Sequence, residues 1–172
     1  MDQTQAELRV MVDANILIAG SVWPRWSYEV LQHALQGDYR LVLSEYIIQQ
    51  ARKHIQVRFP TYSDQFDEFL GVCRYELVAG PTREQVAQHI DLVRDPSDIP
   101  VALAAIDAGV DYLVSEDKDL TVQDETTARL RQVLRVMISG TFLREVMGWS
   151  SENLERIRHR TWRVIQSSLN DN

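Results

Sequence analysis

The sequence predicts an α/β fold: a three-layer α/β/α sandwich around a central, mostly parallel, twisted sheet of four or five strands. Short β-prone apolar runs alternate along the chain with longer segments of helical spacing. This alternation requires crossover connections, which place parallel strands between two layers of helices. With 172 residues and 45% hydrophobic content, the chain can bury one such core but is too short for two ordinary domains.

Capping and turn residues set the predicted boundaries in the amino-terminal half. Ser44 is a good N-cap for a helix that runs to about residue 58, and Pro60 prevents the simple continuation of that helix. Gly37 breaks the helix that precedes the second strand. The strands predicted here are residues 8–12, 39–43 and 76–78, and the helices are residues 14–19, 26–35, 45–58 and 62–73.

The carboxy-terminal half has boundaries of the same kinds. Thr82 and Ser97 are expected to cap two helices, and Gly109 ends the second of them. The predicted elements are helices 83–91 and 98–108, strands 111–115 and 135–138, and terminal helices 141–148 and 151–168. We expect residues 1–148 to form the α/β domain and residues 149–172 to form a helical extension packed on or beside it.

Composition argues against several classes of protein. Cys73 is the only cysteine, so no internal disulfide and no thiolate zinc site can form. Residues 1–7 lack the basic and apolar regions of a signal peptide, and no apolar run approaches the roughly 20 residues of a membrane helix. We therefore expect a cytoplasmic protein with no membrane partner. The net charge of −7 argues against a broad electrostatic footprint for nucleic acid.

Three short segments place aspartates where apolar runs stop. They are Val12-Asp13-Ala14-Asn15, Asp95-Pro96-Ser97-Asp98 and Ser115-Glu116-Asp117-Lys118-Asp119. Because the ends of neighbouring parallel strands meet at one edge of a sheet, these carboxylates can converge on a single point. Crowded carboxylates repel one another unless a cation lies between them, and hard oxygen ligands favour Mg²⁺ or Mn²⁺. The pattern therefore predicts a metal site.

Each acidic segment also has a purely structural interpretation. Asp13 can serve as the N-cap of the helix that follows it. Asp98 can be a surface acid favoured by the dipole of its helix, and Asp117 and Asp119 can be turn residues. Each segment alone is weak, whereas three segments at equivalent positions favour the metal site.

The order and spacing of these motifs resemble the PIN-domain family, especially its bacterial branch of toxins from toxin–antitoxin pairs. The resemblance covers about residues 9–143, and the segment 111–120 is its most specific part. It implies a metal-dependent ribonuclease that cleaves single-stranded RNA, has a cognate antitoxin and forms a homodimer. It also implies that Mg²⁺ or Mn²⁺ is bound by Asp13, Asp98 and Asp117, that Asp119 is an auxiliary catalytic acid, and that Asn15, Ser44 and Ser115 contribute to substrate binding.

One position departs from the family pattern. The family usually has a glutamate about six residues beyond the serine that ends the second strand, and Gln50 stands at this position. A carboxamide is neutral and is a weaker ligand than a carboxylate. Two hypotheses therefore stay open: an active ribonuclease, and a catalytically weakened PIN scaffold that binds RNA or a protein partner without cutting.

Other α/β enzymes with an early aspartate fit the sequence poorly. A phosphatase of the haloacid-dehalogenase type needs a second aspartate two residues after the first, where this chain has Asn15. A response-regulator receiver needs an acidic pair near the first strand, and none is present there. The absence of a Gly-rich phosphate loop argues against nucleotide hydrolysis.

Two further features have both a structural and a functional interpretation. Trp23, predicted to lie in the loop after the first strand near the edge of the site, can stack on a base or contact a dimer partner, or it can pack locally. The segment 156–163 is predicted to be a basic amphipathic helix. Its arginines can pair with Glu152 and Glu155, contact an RNA backbone, or dock an acidic partner.

Overall fold

A five-stranded, all-parallel sheet forms the centre of the computed structural model, which describes residues 7–171. The strands are β1 (Arg9–Val12), β2 (Arg40–Ser44), β3 (Tyr75–Val78), β4 (Tyr112–Val114) and β5 (Val136–Met137), in the spatial order β3-β2-β1-β4-β5. The predicted three-layer fold is confirmed. The absence of a signal peptide was predicted from residues 1–7, and residues 1–6 lie outside the described part.

Eleven α-helices accompany the sheet within residues 7–171. They are α1 (Ala14–Val22), α2 (Trp26–Leu35), α3 (Glu45–Arg58), α4 (Ser63–Val72), α5 (Arg83–Gln88), α6 (Ile99–Ala108), α7 (Lys118–Thr121), α8 (Ala128–Val133), α9 (Ser139–Glu145), α10 (Ser151–Ile157) and α11 (Trp162–Asn170). Helix α1 packs against α2, α3 and α4, while α5 packs against α6. No helix in this described range has the length and apolar composition that crossing a membrane requires.

The three central strands are apolar and buried on both faces, as expected for a parallel sheet covered by helices. Their fully buried residues include Val10, Met11 and Val12 of β1, Leu41 and Leu43 of β2, and Leu113 and Val114 of β4. In the register of the sheet Val12 pairs with Val114. The residues that follow these two strands therefore emerge side by side at the carboxyl edge.

Three of the predicted helix boundaries are confirmed. The Ser44 hydroxyl accepts a hydrogen bond from the Ile47 N–H at 3.3 Å, which caps α3. Thr82 forms a capping box with Gln85. Gly109 ends α6 with a φ of 64°, a left-handed conformation that glycine adopts without steric cost.

The predicted cap at Ser97 is wrong. The Asp95 carboxylate accepts hydrogen bonds from the Ser97 N–H at 3.0 Å and from its hydroxyl at 2.9 Å, and this capped turn is a 3-10 helix, Pro96–Asp98. Both donors of Ser97 are thus turned back onto Asp95, which leaves Asp98 as the residue from which α6 starts.

The single terminal helix predicted for residues 151–168 is also wrong, because α10 and α11 are separate. Between them, Arg160 turns inward and its guanidinium binds Glu29 at 2.6 Å and the Pro24 carbonyl at 2.7 Å. Thr161 is extended, with φ −117° and ψ 162°. The tertiary bonds of Arg160 therefore interrupt a segment whose local pattern is helical. The short helices α7 and α8 were not predicted.

The extension is bonded to the end of α1 and the start of α2. The indole N–H of Trp26 donates to the Leu154 carbonyl at 2.9 Å, and the indole N–H of Trp162 donates to the Val22 carbonyl at 2.7 Å. The division of the chain at residue 148 stays a prediction.

Candidate metal centre

Asp13 lies where β1 ends and is almost completely buried. One carboxylate oxygen accepts a hydrogen bond from the Ala14 N–H at 2.7 Å, which makes Asp13 the N-cap of α1. The other oxygen accepts from the Ser115 hydroxyl at 2.8 Å, and the Asn15 amide nitrogen lies 3.5 Å away. Asp13 is therefore both the predicted cap and part of a bonded group at the sheet edge.

Ser115 connects the ends of β1 and β4. Its buried hydroxyl donates to Asp13 and accepts from the Asp117 N–H at 3.1 Å and from the Asn15 amide at 3.3 Å. The side-chain oxygen of Asn15 in turn accepts a hydrogen bond from the Glu116 N–H at 3.2 Å. These bonds fix the orientation of the first and third acidic segments relative to each other.

Asp98 is the least satisfied acid of the centre. Its side chain is buried, and within residues 7–171 its Oδ2 atom has no hydrogen-bond partner. The pKa of Asp98 is raised to about 8, first by burial and then by a hydrogen bond with Asp117 and the negative charges of Asp117, Asp13 and Asp95. Burial also raises the pKa of Asp13, although the hydrogen bonds from Ser115 and Ala14 oppose that rise.

The structure brings all three acidic segments together. The Ser115 hydroxyl links Asp13 to the segment of Asp117, and the negative charges of Asp117 and Asp13 both raise the pKa of Asp98. A second set overlaps this one: Asp95, Asp98 and Asp119 each offer a carboxylate oxygen, and these three oxygens lie within 4.8 Å of one another. Asp98 belongs to both sets. Asp95 was not among the predicted ligands, although its place at the start of the Pro-Ser turn was visible in the sequence.

The remaining predicted site residues have defined local roles. Asp117 accepts a hydrogen bond from the Asp119 N–H at 2.9 Å and so caps α7. Ser44 is fully buried, and its hydroxyl is used by the cap of α3. The structure thus gives Ser44 a role in placing α3 and shows no free hydroxyl there for a ligand.

Tyr46 is the residue of α3 that approaches the aspartates. Its hydroxyl donates to the Ser97 carbonyl at 3.2 Å, and burial and then the negative charge of Asp98 raise its pKa. Gln50, one helical turn further, is exposed and lines a groove with Ala14. Sequence reasoning missed Tyr46, because the packing of α3 on the Asp95–Asp98 turn is a long-range contact.

An all-parallel α/β/α sandwich that gathers aspartates at the carboxyl edge of its sheet defines a protein with an acidic centre at a topological switch point. The family model described as the PIN domain matches residues 9–119, and the chain belongs to that family. The match ends before α8, so the terminal helices α8 to α11 lie outside it.

Solved structures are similar in fold at low sequence identity. PAE2754 from Pyrobaculum aerophilum has 14% identity and a TM-score of 0.58, with 83% of this chain and 97% of that chain covered. VapBC2 from Rickettsia felis, solved bound to a DNA fragment from their promoter, has 14% identity and a TM-score of 0.50, with 76% and 98% covered. No curated protein matches the chain.

Proposed function

We propose that this protein is a metal-dependent endoribonuclease that hydrolyses phosphodiester bonds of single-stranded RNA at the centre formed by Asp13, Asp98 and Asp117. The observation that carries the proposal is the buried Oδ2 of Asp98, which has no donor among the described residues and lies beside other carboxylates. Such a group is costly without a positive partner. Hard carboxylate oxygens select Mg²⁺ or Mn²⁺ as that partner.

The residues of the centre have different proposed roles in metal binding and proton transfer. Asp13 is held in one orientation by Ser115 and Ala14, so that it can present a ligand atom without reorganising. Asp98 contributes the oxygen that no donor occupies. A divalent cation held there would supply a water of lowered pKa and would shield the charge of the phosphodiester. Asp119, half-buried beside Asp98, would take a proton from the attacking water.

The proposal extends to the biological setting. Membership of the PIN-domain family and the similarity in fold to VapBC2 support a toxin that acts with a cognate antitoxin protein. A homodimer and a cytoplasmic location are part of the same proposal. The residues of the site do not themselves choose RNA over DNA, so the test includes both.

Mn²⁺ is expected to switch on cleavage of a labelled single-stranded RNA, and EDTA is expected to stop it. The matched variant is Asp117→Asn, because asparagine also caps helices and should leave α7 folded. We expect this variant to cleave RNA at least about 100-fold more slowly than wild type. Gel analysis of RNA and of DNA with the same sequence measures both rates. Equal rates for wild type and variant would indicate a contaminating nuclease and would contradict the proposal.

Gln50 supports the second candidate function, a weakened scaffold that binds RNA or a protein partner without cutting. Its side chain is neutral and exposed at the groove that begins beside Asp13. Gln50→Glu is expected to tighten Mn²⁺ binding about tenfold and to raise the cleavage rate, because it adds a carboxylate to the groove beside Asp13. Calorimetric titration with Mn²⁺ measures the first effect. Wild-type protein that binds no Mn²⁺ at millimolar concentration would favour the scaffold.

A further inference from the structure

Two grooves are each lined by a residue that adjoins the acidic centre along the chain. The first has a volume of about 330 Å³ and is lined by Ala14, Ile18, Gln50, Lys53, His54 and Arg58, among others; we name it the Lys53 groove. The second has a volume of about 300 Å³, and its lining includes Trp23, Arg25, Glu116, Ser139, Arg158 and His159; we name it the Glu116 groove. The Ala14 N–H donates to the Asp13 carboxylate, and the Glu116 N–H donates to the Asn15 side chain, so each groove includes a residue bonded to the residues at the sheet edge.

An aromatic pair joins the two grooves. Trp23 belongs to the Glu116 groove, and its ring meets the Phe59 ring edge to face, with centroids 5.4 Å apart. Phe59 directly follows Arg58 and lies 6.0 Å from the His54 ring, both of which line the Lys53 groove. Trp23 is 40% exposed. An exposed, edge-supported indole between two grooves is a stacking platform for a base.

Positive charge collects along these grooves although the chain as a whole carries −7. Lys53 and Arg58 are exposed, and within the described residues neither has a carboxylate within 4.0 Å. Arg158 pairs with Glu155 at 3.6 Å, but both side chains are more than half exposed, so the pair is weak. Glu116 is the acid among the lining residues of the second groove, and its carboxylate accepts hydrogen bonds from the N–H and the hydroxyl of Ser139.

The Trp23 loop is held in place by the carboxy-terminal extension. Arg25 donates from Nε to the Arg160 carbonyl at 3.2 Å, and Arg160 donates from Nε to the Pro24 carbonyl at 2.7 Å. Arg158 and His159 of the Glu116 groove come from the same extension. These residues lie beyond the match to the PIN domain, which ends at residue 119. The extension therefore adds cations and order to one side of an otherwise acidic centre.

We propose that the Lys53 groove, the Trp23–Phe59 pair and the Glu116 groove form one continuous binding track for single-stranded RNA, with the acidic centre beside its middle. The proposal rests on the proposed function, because it names where that substrate lies. Cations unpaired by carboxylates bind the phosphates, and Trp23 stacks on a base, which is how single strands are held without sequence readout. A protein partner on the same surface is the outcome that the test must distinguish.

The test measures binding without cleavage. Labelled oligouridine is titrated in EDTA, at several salt concentrations, with fluorescence anisotropy as the readout. Trp23→Ala is expected to weaken binding about tenfold, and Trp23→Phe to restore most of the affinity. The double variant Lys53→Glu/Arg58→Glu is expected to make the plot of log K against log salt shallower. The magnitude of its negative slope should fall by about 1.4, which is about 0.7 for each lost phosphate contact.

The matched control also replaces two cationic side chains by glutamate, but at positions outside the two grooves. Arg74 and Arg135 are exposed and precede β3 and β5, at the opposite edge of the sheet, so Arg74→Glu/Arg135→Glu should leave the slope unchanged. A control that loses as much as the groove variant, or a wild-type protein that binds no oligouridine, overturns the track. The track is also overturned if all the groove variants bind oligouridine with wild-type affinity, and that result would assign the surface to a protein partner. Binding that depends on the track without cleavage in Mn²⁺ would instead contradict only the proposed function.

Discussion

Asp98→Asn is expected to make the metal-free protein more stable while it removes the Mn²⁺-dependent cleavage of RNA. Asp98 is 9% exposed, and its Oδ2 has no donor among the described residues. Asparagine has the same shape and no charge, and its amide can donate to the Asp117 carboxylate. The substitution therefore replaces an unfavourable buried acid by a group that fits its surroundings.

The effect on stability depends on pH in a defined direction. In the folded protein the pKa of Asp98 is raised from 3.8 to about 8, so folding favours the protonated form. The contribution of Asp98 to stability is complete below about pH 4 and is lost as the pH rises towards 8. We expect the loss at pH 8 to be about 2 kcal/mol, the size of the penalty for a buried polar group that lacks a partner. The melting temperature of Asp98→Asn should then exceed that of wild type by about 4–8 °C at pH 8 and match it at pH 4.

Mn²⁺ should reverse this order. A cation that binds only the folded state stabilises wild type by about 2.7 kcal/mol at 100 times its Kd, and the variant should gain little. Its cleavage rate should fall about 1,000-fold, because Asp98 belongs to both acidic sets of the centre. Thermal melts at pH 4 and pH 8, with and without Mn²⁺, measure which of the two proteins is more stable under each condition. Asp107→Asn, an exposed change on the same helix, is the control. A variant that melts below wild type at pH 8 without metal would contradict the assignment.

The fold could be predicted from the sequence because its main determinants are local. The bounds predicted for α2 agree with Trp26–Leu35, and Ser44 caps α3 through a neighbour three residues away. The aspartates could also be predicted, since Asp13 directly follows the end of β1 and Asp117 lies in the loop that follows β4. A residue that follows a strand directly in the sequence must lie near the end of that strand in space, so its position can be read from the sequence.

The features that were missed depend on contacts between distant residues. Tyr46 reaches Ser97 across 51 residues, and nothing in α3 alone indicates that contact. The break between α10 and α11 follows from the bond of Arg160 to Glu29, 131 residues away. Helical propensity favoured a continuous helix there, and a largely buried ion pair overrode it. Long side chains with tertiary partners are where local patterns fail in this protein.

That ion pair leads to the second large expected effect. Arg160 and Glu29 are 19% and 17% exposed, and the Arg160 guanidinium also binds the Pro24 carbonyl and lies over the Tyr28 ring at 5.8 Å. Arg160→Ala would leave Glu29 charged, largely buried and unpaired. We expect a loss of about 3 kcal/mol in the free energy of unfolding, which lowers the melting temperature by about 6–12 °C.

Arg156 provides the matched control, because it lies in the same extension and pairs with Glu152 at 3.7 Å while 69% exposed. Arg156→Ala should change stability by less than about 0.5 kcal/mol. The two variants also separate charge from position: each removes one cation, but only Arg160→Ala releases the loop that carries Trp23. Binding of oligouridine in EDTA should therefore weaken markedly in Arg160→Ala alone, measured well below its melting temperature. Equal melting temperatures for the two variants would mean that the Arg160–Glu29 pair does not hold the extension to the α/β layers.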